Sequence, residues 1–251
     1  AFGIPAWEML GGKVRDRIRA YAWIGGDRAD EIESAAKSRR EQGFGAVKMN
    51  ATAELDWIGT PRLFDEVIAR VQAAQGAGMD VGLDFHGRVH PPMAKQLAKV
   101  LEPLDLLFIE EPLLSENPEG LAQIAGLVST PIALGERLYT RWDFKPFFET
   151  RAVDIIQPDL SHAGGLLECR KIAAMAEAYD VAVAPHCPLG PLALAPCLQL
   201  AACTPNVAIQ EMSHGIHYNV GADLYSYCSD EGALRARDGS LEIPDGRGLG
   251  V

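Results

Sequence analysis

The sequence is short of cysteine in any useful arrangement. Its five cysteines, Cys169, Cys187, Cys197, Cys203 and Cys228, are an odd number and form no CxxC pair. That argues against a thiolate zinc site and predicts reduced thiols in a cytoplasmic protein. Long apolar runs are missing as well. The longest, such as Pro191 to Ala202, fall well short of the roughly 20 residues that span a bilayer, so no membrane partner is expected. No basic segment followed by an apolar one opens the chain, which predicts no secretory leader. Basic charge is scarce: 23 Lys and Arg stand against 34 Asp and Glu, a formal net charge of −11. A phosphate backbone wants a basic face, so nucleic acid is not an expected partner. A small anionic substrate is still allowed, because local metal and Arg charges override the global field. No low-complexity segment or linker interrupts the chain.

The 251 residues, 48% hydrophobic and 23% charged, suffice for a sizeable core in one large barrel or two small domains. Short β-type runs alternate with longer helical patterns. Strands are predicted at 19–25, 45–50, 80–86, 106–112, 131–136, 153–159, 181–186 and 207–212, and helices at 29–42, 61–76, 91–101 and 164–179. Such alternation predicts a parallel sheet with right-handed crossovers. Eight units in about 200 residues point to a closed (β/α)₈ barrel of the TIM type. A doubly wound open sheet would want a Gly-rich phosphate loop after the first strand, and WIGGDRAD is a poor one. The predicted organisation is a helical lead-in at 1–17, a metal-binding barrel at 18–220 and a polar, Gly-rich C-terminal surface tail or return segment at 221–251. The opening AFGIPAWEMLGG reads as the tail of a helix, as expected of a fragment.

Three predicted strands end in an acid: Asp84, Glu110 and Glu136, each 26 residues from the next. One step is one β/α unit, which predicts three carboxylates at the same height on consecutive strands, at the C-terminal mouth where barrel active sites lie. Gathered there they repel one another unless a cation neutralises them. Oxygen ligands select Mg²⁺, or Mn²⁺, over zinc. The bland alternative, solvated loop acids or helix caps, suits any one of them better than three in register. Asp159 and His186 end the next two strands, 27 residues apart, and a carboxylate against an imidazole makes a better general base. His86 lies two residues after Asp84 and shares its face if the strand continues. Glu211 ends the eighth strand, and Lys48 and Asn50 the second. His90, His162, His214 and His217 are read as structural or substrate-contacting. Cys187 follows His186 directly and should face away, so the two are not read as a nucleophilic dyad.

These residues resemble the enolase superfamily, in its mandelate racemase branch, over nearly the whole chain. Within the branch, GLDFHGRVHPPMAK, LFIEEPLL, QPDLSHAGGLLECRKIAAMAEAYDV, APHCPLGPLAL and QEMSHGIHYN resemble the galactonate dehydratase family. IEEP alone is weak; DFHGR, LSHAGG and APHCPLGP together are specific. The resemblance implies Asp84, Glu110 and Glu136 as ligands of one Mg²⁺. It implies His186, supported by Asp159, as the base that removes the proton next to a substrate carboxylate, and His86 as the acid that protonates a departing hydroxyl. Glu211, Lys48, Asn50 and Arg88 would contact a sugar-acid substrate. It also implies a homo-oligomer and an N-terminal capping domain, which would end before this sequence begins. One departure is informative. Racemases of the branch carry Lys-x-Lys where this chain has Lys48-Met49-Asn50, so no second base faces His186 and one-sided abstraction with elimination is expected.

Overall fold

The β/α alternation is realised in a computed structural model that describes residues 2–53, 55–216, 224–230, 232 and 234–251. Eight parallel strands run β1 (Arg17–Trp23), β2 (Ala46–Asn50), β3 (Asp80–Asp84), β4 (Phe108–Glu110), β5 (Ile132–Leu134), β6 (Ile155–Ile156), β7 (Ala182–Val183) and β8 (Gln210–Met212). Their spatial order is β7-β6-β5-β4-β3-β2-β1-β8. Between β7 and the approach to β8, the Val183 amide donates to the Asn206 carbonyl (2.9 Å) and the Ala208 amide to the Val183 carbonyl (2.9 Å). That parallel bridge, Val183 to Val207, joins the two ends of the sheet and closes the barrel.

Helices follow the strands: α1 (Ala6–Met9), α2 (Ala29–Glu41), α3 (Asp65–Gly76), α4 (Pro91–Leu101), α5 (Pro118–Ala125), α6 (Arg141–Glu149), α7 (Gly165–Ala178) and α8 (Pro191–Cys203). Local chemistry sets where several begin. Asn117 accepts the Gly120 amide at the start of α5, and Thr140 and Asp143 cap α6 reciprocally. Proline opens α4, α5 and α8, where its missing N–H costs nothing. Ten of the 13 residues of α8 are buried, which is why it reads in sequence as an apolar run rather than an amphipathic stripe.

Strand parity divides the barrel wall. Ala22, Val47, Leu83, Ile109, Leu134, Ile156 and Val183 point outward into the main core under the helices. The inward set is a separate apolar plug of Tyr21, Ala46, Phe108, Ala133, Ala184 and Ile209. Three large residues, Tyr21, Phe108 and Ile209, and three alanines fill it, as a closed barrel of this size requires. At Gly82 the Phe108 ring stands 2.5 Å from where a β-carbon would be.

The strands are shorter than expected, and β6 and β7 hold two residues each. Asp84 and Glu110 are paired residues at their strand ends, but Glu110 pairs with Ala133, so Glu136 lies three residues beyond its neighbour's level. Equal sequence spacing therefore does not give equal height. The expected polar tail is corrected in part too. Strand β9 (Ser240–Glu242) pairs antiparallel with the start of β1, burying Leu241 and Ile243. Buried Gln199 ties both chain ends together. It accepts the Trp7 amide (2.9 Å) and donates to the Pro244 and Leu249 carbonyls (3.2 and 3.1 Å). The 220/221 boundary and His217 lie outside the described residues.

Candidate active site

The polar residues of the mouth stand on the plug by strand periodicity. Trp23, Lys48, Glu110, His186 and Glu211 each lie two residues beyond a plug residue, and two residues is one step along the same strand face. Apolar below and polar above on one face puts charged groups where only a barrel mouth can solvate or pair them.

Glu136 breaks this parity. Gly135, at φ +151°, turns the chain so that Glu136 points inward, and a β-carbon there would lie 2.7–2.9 Å from the Gln157 backbone. His86 also departs from the expectation of a continuing strand. Strand β3 stops at Asp84, and His86 sits at φ +55°. Its ring turns back to the acids all the same. Nδ1 is 3.1 Å from Asp84 Oδ2 and 3.8 Å from Glu136 Oε1, while the His86 amide donates to Asp84 Oδ1 (2.6 Å). A non-glycine residue in the left-handed region costs about 1–3 kcal/mol, and such strain clusters at functional sites.

His186 faces the same carboxylate from the other side. Its Nε2 is 2.9 Å from Glu136 Oε2, and its Nδ1 is 2.8 Å from Asp159 Oδ2. Burial lowers the tendency of this imidazole to hold a proton. The Glu211 charge and the bonds to Asp159 and Glu136 outweigh burial and push its pKa up to about 11. Burial raises Glu136, but the two histidines bring it down to about 2.

Lys48 is fully buried. Its ammonium donates to both Glu110 oxygens (2.8 and 2.6 Å), lies 3.1 Å from Glu211 Oε1, and sits 4.7 Å from the centre of the Trp23 ring. Burial alone would lower its pKa, but Glu110 and Glu211 hold it well above the ordinary lysine value. Glu211 also accepts the Trp23 indole N–H and the Cys187 amide. The oxygens of Glu211 are thus already engaged within the protein, and so is the Lys48 ammonium. Of the four residues expected at the substrate, Asn50 and Arg88 have the freer side chains. Asn50 is half-buried with its carbonyl accepting from Arg70, and Arg88 is exposed after β3. His90 stacks on Trp57 (3.8 Å between ring centres), His162 stands 3.8 Å from Asp159, and His214 packs on Tyr225.

Five carboxylates, Asp84, Glu110, Glu136, Asp159 and Glu211, thus meet Lys48 and two histidines. This excess of buried negative charge suits a cation. Among the described residues, ligand atoms of Asp84, His86 and Glu136 already lie within 4.8 Å of one another. Glu110 is turned instead to Lys48 and to the Gln157 amide (2.6 Å). A carboxylate has about four lone-pair positions, so those bonds leave Glu110 able to accept a metal as well. The donor set is therefore the hard, mainly oxygen kind that fits a divalent cation.

Sequence spacing did not single out Gln157, Trp23 or Arg137. Gln157 lies one face-step before Asp159 and Trp23 one after Tyr21, so strand parity was the available signal. Arg137 carried none beyond following Glu136. All five cysteines are free, and all five are buried. Among the described residues no helix is long and apolar enough to cross a membrane.

A parallel barrel with an acid-lined mouth and two flanking histidines defines a class of barrel whose mouth can hold a divalent cation. The family described as Enolase C-terminal domain-like matches residues 30–251, and the chain belongs to it. The chain is similar to D-galactonate dehydratases of Ralstonia pickettii, 50% identical over 252 residues, and of Pectobacterium atrosepticum, 50% identical over 254 residues. These alignments cover 99% and 100% of the chain but 66% of each relative, so the chain spans just under two thirds of their length. Among solved structures it resembles a mandelate racemase/muconate lactonizing enzyme-like protein from Rubrobacter xylanophilus. The TM-score is 0.89 at 31% identity, over 99% of this chain and 69% of that one. A member of the enolase superfamily from Salmonella Typhimurium gives a TM-score of 0.90 at 29% identity, with the same coverage.

Proposed function

We propose that this chain is the barrel portion of a metal-dependent hydro-lyase that dehydrates a sugar acid, D-galactonate above all, to the 2-dehydro-3-deoxy acid and water. The observation that carries the reading is the position of Glu136 between two imidazoles, His186 on one oxygen and His86 near the other. A base and an acid on opposite sides of one metal ligand are what a stepwise elimination needs. The 50% identity to D-galactonate dehydratases supports the choice of substrate.

Asp84, Glu110 and Glu136 would hold one Mg²⁺, with Mn²⁺ as a substitute. When bound, the ion would supply positive charge to the substrate carboxylate and take up the Glu136 charge, one of three, with Glu211 and Asp159, that hold His186 protonated. The α-proton of a carboxylate is far too weak an acid for an unaided imidazole of ordinary pKa ~6.5. His186 removes that proton at Nε2, with Asp159 fixing the ring through Nδ1. The C2–H electron pair forms the C2=C3 double bond. The C3–O bond breaks, and the oxygen leaves as water with a proton from His86. The enol then tautomerises to the 2-keto acid. Asn50, Arg88, Glu211 and Lys48 would line the substrate site, with Asn50 and Arg88 the freer to reach it. Cytoplasmic location and a homo-oligomeric state belong to the same proposal.

Deuterium exchange separates the two histidines. His186→Asn should abolish exchange of the α-proton in D₂O while leaving metal affinity within about threefold. His86→Asn should stop dehydration yet permit exchange, because proton removal precedes hydroxyl departure. Exchange retained without His186, or lost along with elimination in the His86 variant, would refute the role given to that histidine. A panel of gluconate, mannonate and arabinonate tests the choice of sugar acid.

A further inference from the structure

The left-handed turn that carries His86 is held by a side chain with no assigned role. We propose that Arg137 is the positioning residue that fixes the His86 imidazole against Asp84 and Glu136. The proposal rests on the reading of His86 as the acid of the elimination.

His86 and Gly87 are both left-handed, at φ +55° and +61°, and Glu111 across the ladder is left-handed at +41°. Three such residues side by side need something to hold them, because a positive φ is uncommon for any non-glycine residue and Glu is not among those enriched there. Two bonds do so. The Gly87 amide donates to the Glu111 carbonyl (3.0 Å). The His86 carbonyl, turned out of the ladder, accepts no backbone bond among the described residues and instead takes Arg137 Nη2 (3.1 Å). Arg137 is itself anchored, since its Nε donates to Glu111 Oε2 at 2.6 Å and that carboxylate is buried. The guanidinium also lies 3.6 Å from Glu136 Oε1, the oxygen nearer His86.

A closed circuit results: Glu111 backbone to Gly87, His86 carbonyl to Arg137, Arg137 back to the Glu111 side chain. It ties the ends of β3, β4 and β5 and leaves the His86 ring one place to stand. The fork is essential to it. One nitrogen serves Glu111 and another serves His86, in a fixed plane that a lysine cannot reproduce. Lysine at 137 would keep an ion pair with Glu111 and still release the His86 carbonyl.

The test compares Arg137→Lys and Arg137→Met in the otherwise unaltered protein, with three readouts. Dehydration of D-galactonate should fall about 100-fold in both, the loss that a displacement of about 1 Å brings to a positioned group. The rate of α-proton exchange in D₂O, which belongs to His186, should change less than about threefold. Mn²⁺ affinity should be unchanged or tighter, because a cation next to the site is removed or moved back. Equal losses of exchange and dehydration, or weakened Mn²⁺ binding in Arg137→Lys, would overturn the proposal in favour of a general structural role.

A further readout, like Mn²⁺ binding, needs no turnover. The ¹⁵N signals of the His86 ring, assigned by comparison with His86→Asn, report its Nδ1 contact with Asp84. That signature should be lost in both Arg137 variants, and its persistence would overturn the proposal whatever the activity. If the unaltered protein dehydrates no sugar acid, the functional reading fails by itself and the ring spectrum still decides the role of Arg137.

Discussion

Lys48→Met is the perturbation whose consequence follows most directly from the geometry. The ammonium is fully buried and engages Glu110 and Glu211, both also buried. Methionine fills a similar volume but leaves two carboxyls without their cation. Breaking a buried pair by removing one partner costs about 3–5 kcal/mol. For a chain of this length each kcal/mol moves the melting temperature by about 2–4 °C, so Lys48→Met should melt about 6–20 °C lower. The assay is a thermal melt followed by circular dichroism, in EDTA so that no divalent cation replaces the ammonium. The double variant Lys48→Met/Glu110→Gln should recover part of the loss, because Glu211 keeps the Trp23 and Cys187 donors and the neutral amide needs no counter-charge. A single variant within about 2 °C of the parent, or a double variant less stable than the single, would refute the reasoning.

Gly135→Ala places a β-carbon 2.7–2.9 Å from the Gln157 backbone, so β5 and β6 must part. It should cost about 1–3 kcal/mol and weaken Mn²⁺ binding measured by titration, because Glu136 moves with it. Gly82→Ala should cost a similar about 1–3 kcal/mol in a thermal melt by driving into the Phe108 ring, and Phe108→Leu should relieve it. Gln199→Leu unpairs the Trp7 amide and the Pro244 and Leu249 carbonyls. Hydrogen exchange should then quicken in residues 5–12 and 240–251, with a loss of about 1–3 kcal/mol.

What could be read before the structure was periodic, and what could not was local. All eight strands fall inside the stretches assigned to them or within two residues, because each carries a run of apolar and β-branched residues. The four expected helices, such as Pro91–Leu101, have an apolar stripe or a clear cap. The three missed helices are short or carry an internal proline. Pro146 interrupts α6, Pro196 interrupts α8, and α5 has eight residues. At the site, Asp84 and Glu110 could be matched by counting, since a uniform β/α unit keeps register between those two strands. Glu136 could not, because its place depends on the turn at Gly135 rather than on the count. The His86 turn was illegible for a related reason. The strand face predicts the correct direction for its ring, yet the chain reaches it by leaving the strand, and the guanidinium that permits this comes from 51 residues away.

The two histidines differ in how they are held, and that difference bears on their chemistry. His186 is nearly buried and fixed through its own ring, by Asp159 on Nδ1 and Glu136 on Nε2. Its direction is set by side chains on β-strand ends, so it can drift little while a proton moves to it. His86 is a third exposed, and its peptide is fixed instead, through the amide to Asp84 and the carbonyl to Arg137. Its ring keeps one open edge toward the mouth. In the proposed elimination, a base that must meet one C–H bond at one angle gains from a locked ring. In that same proposed step, an acid that must meet a departing oxygen gains from a locked peptide and a ring held against Asp84 with one edge open to the mouth. The same mouth therefore offers both, one histidine built into the wall and one hung from its rim.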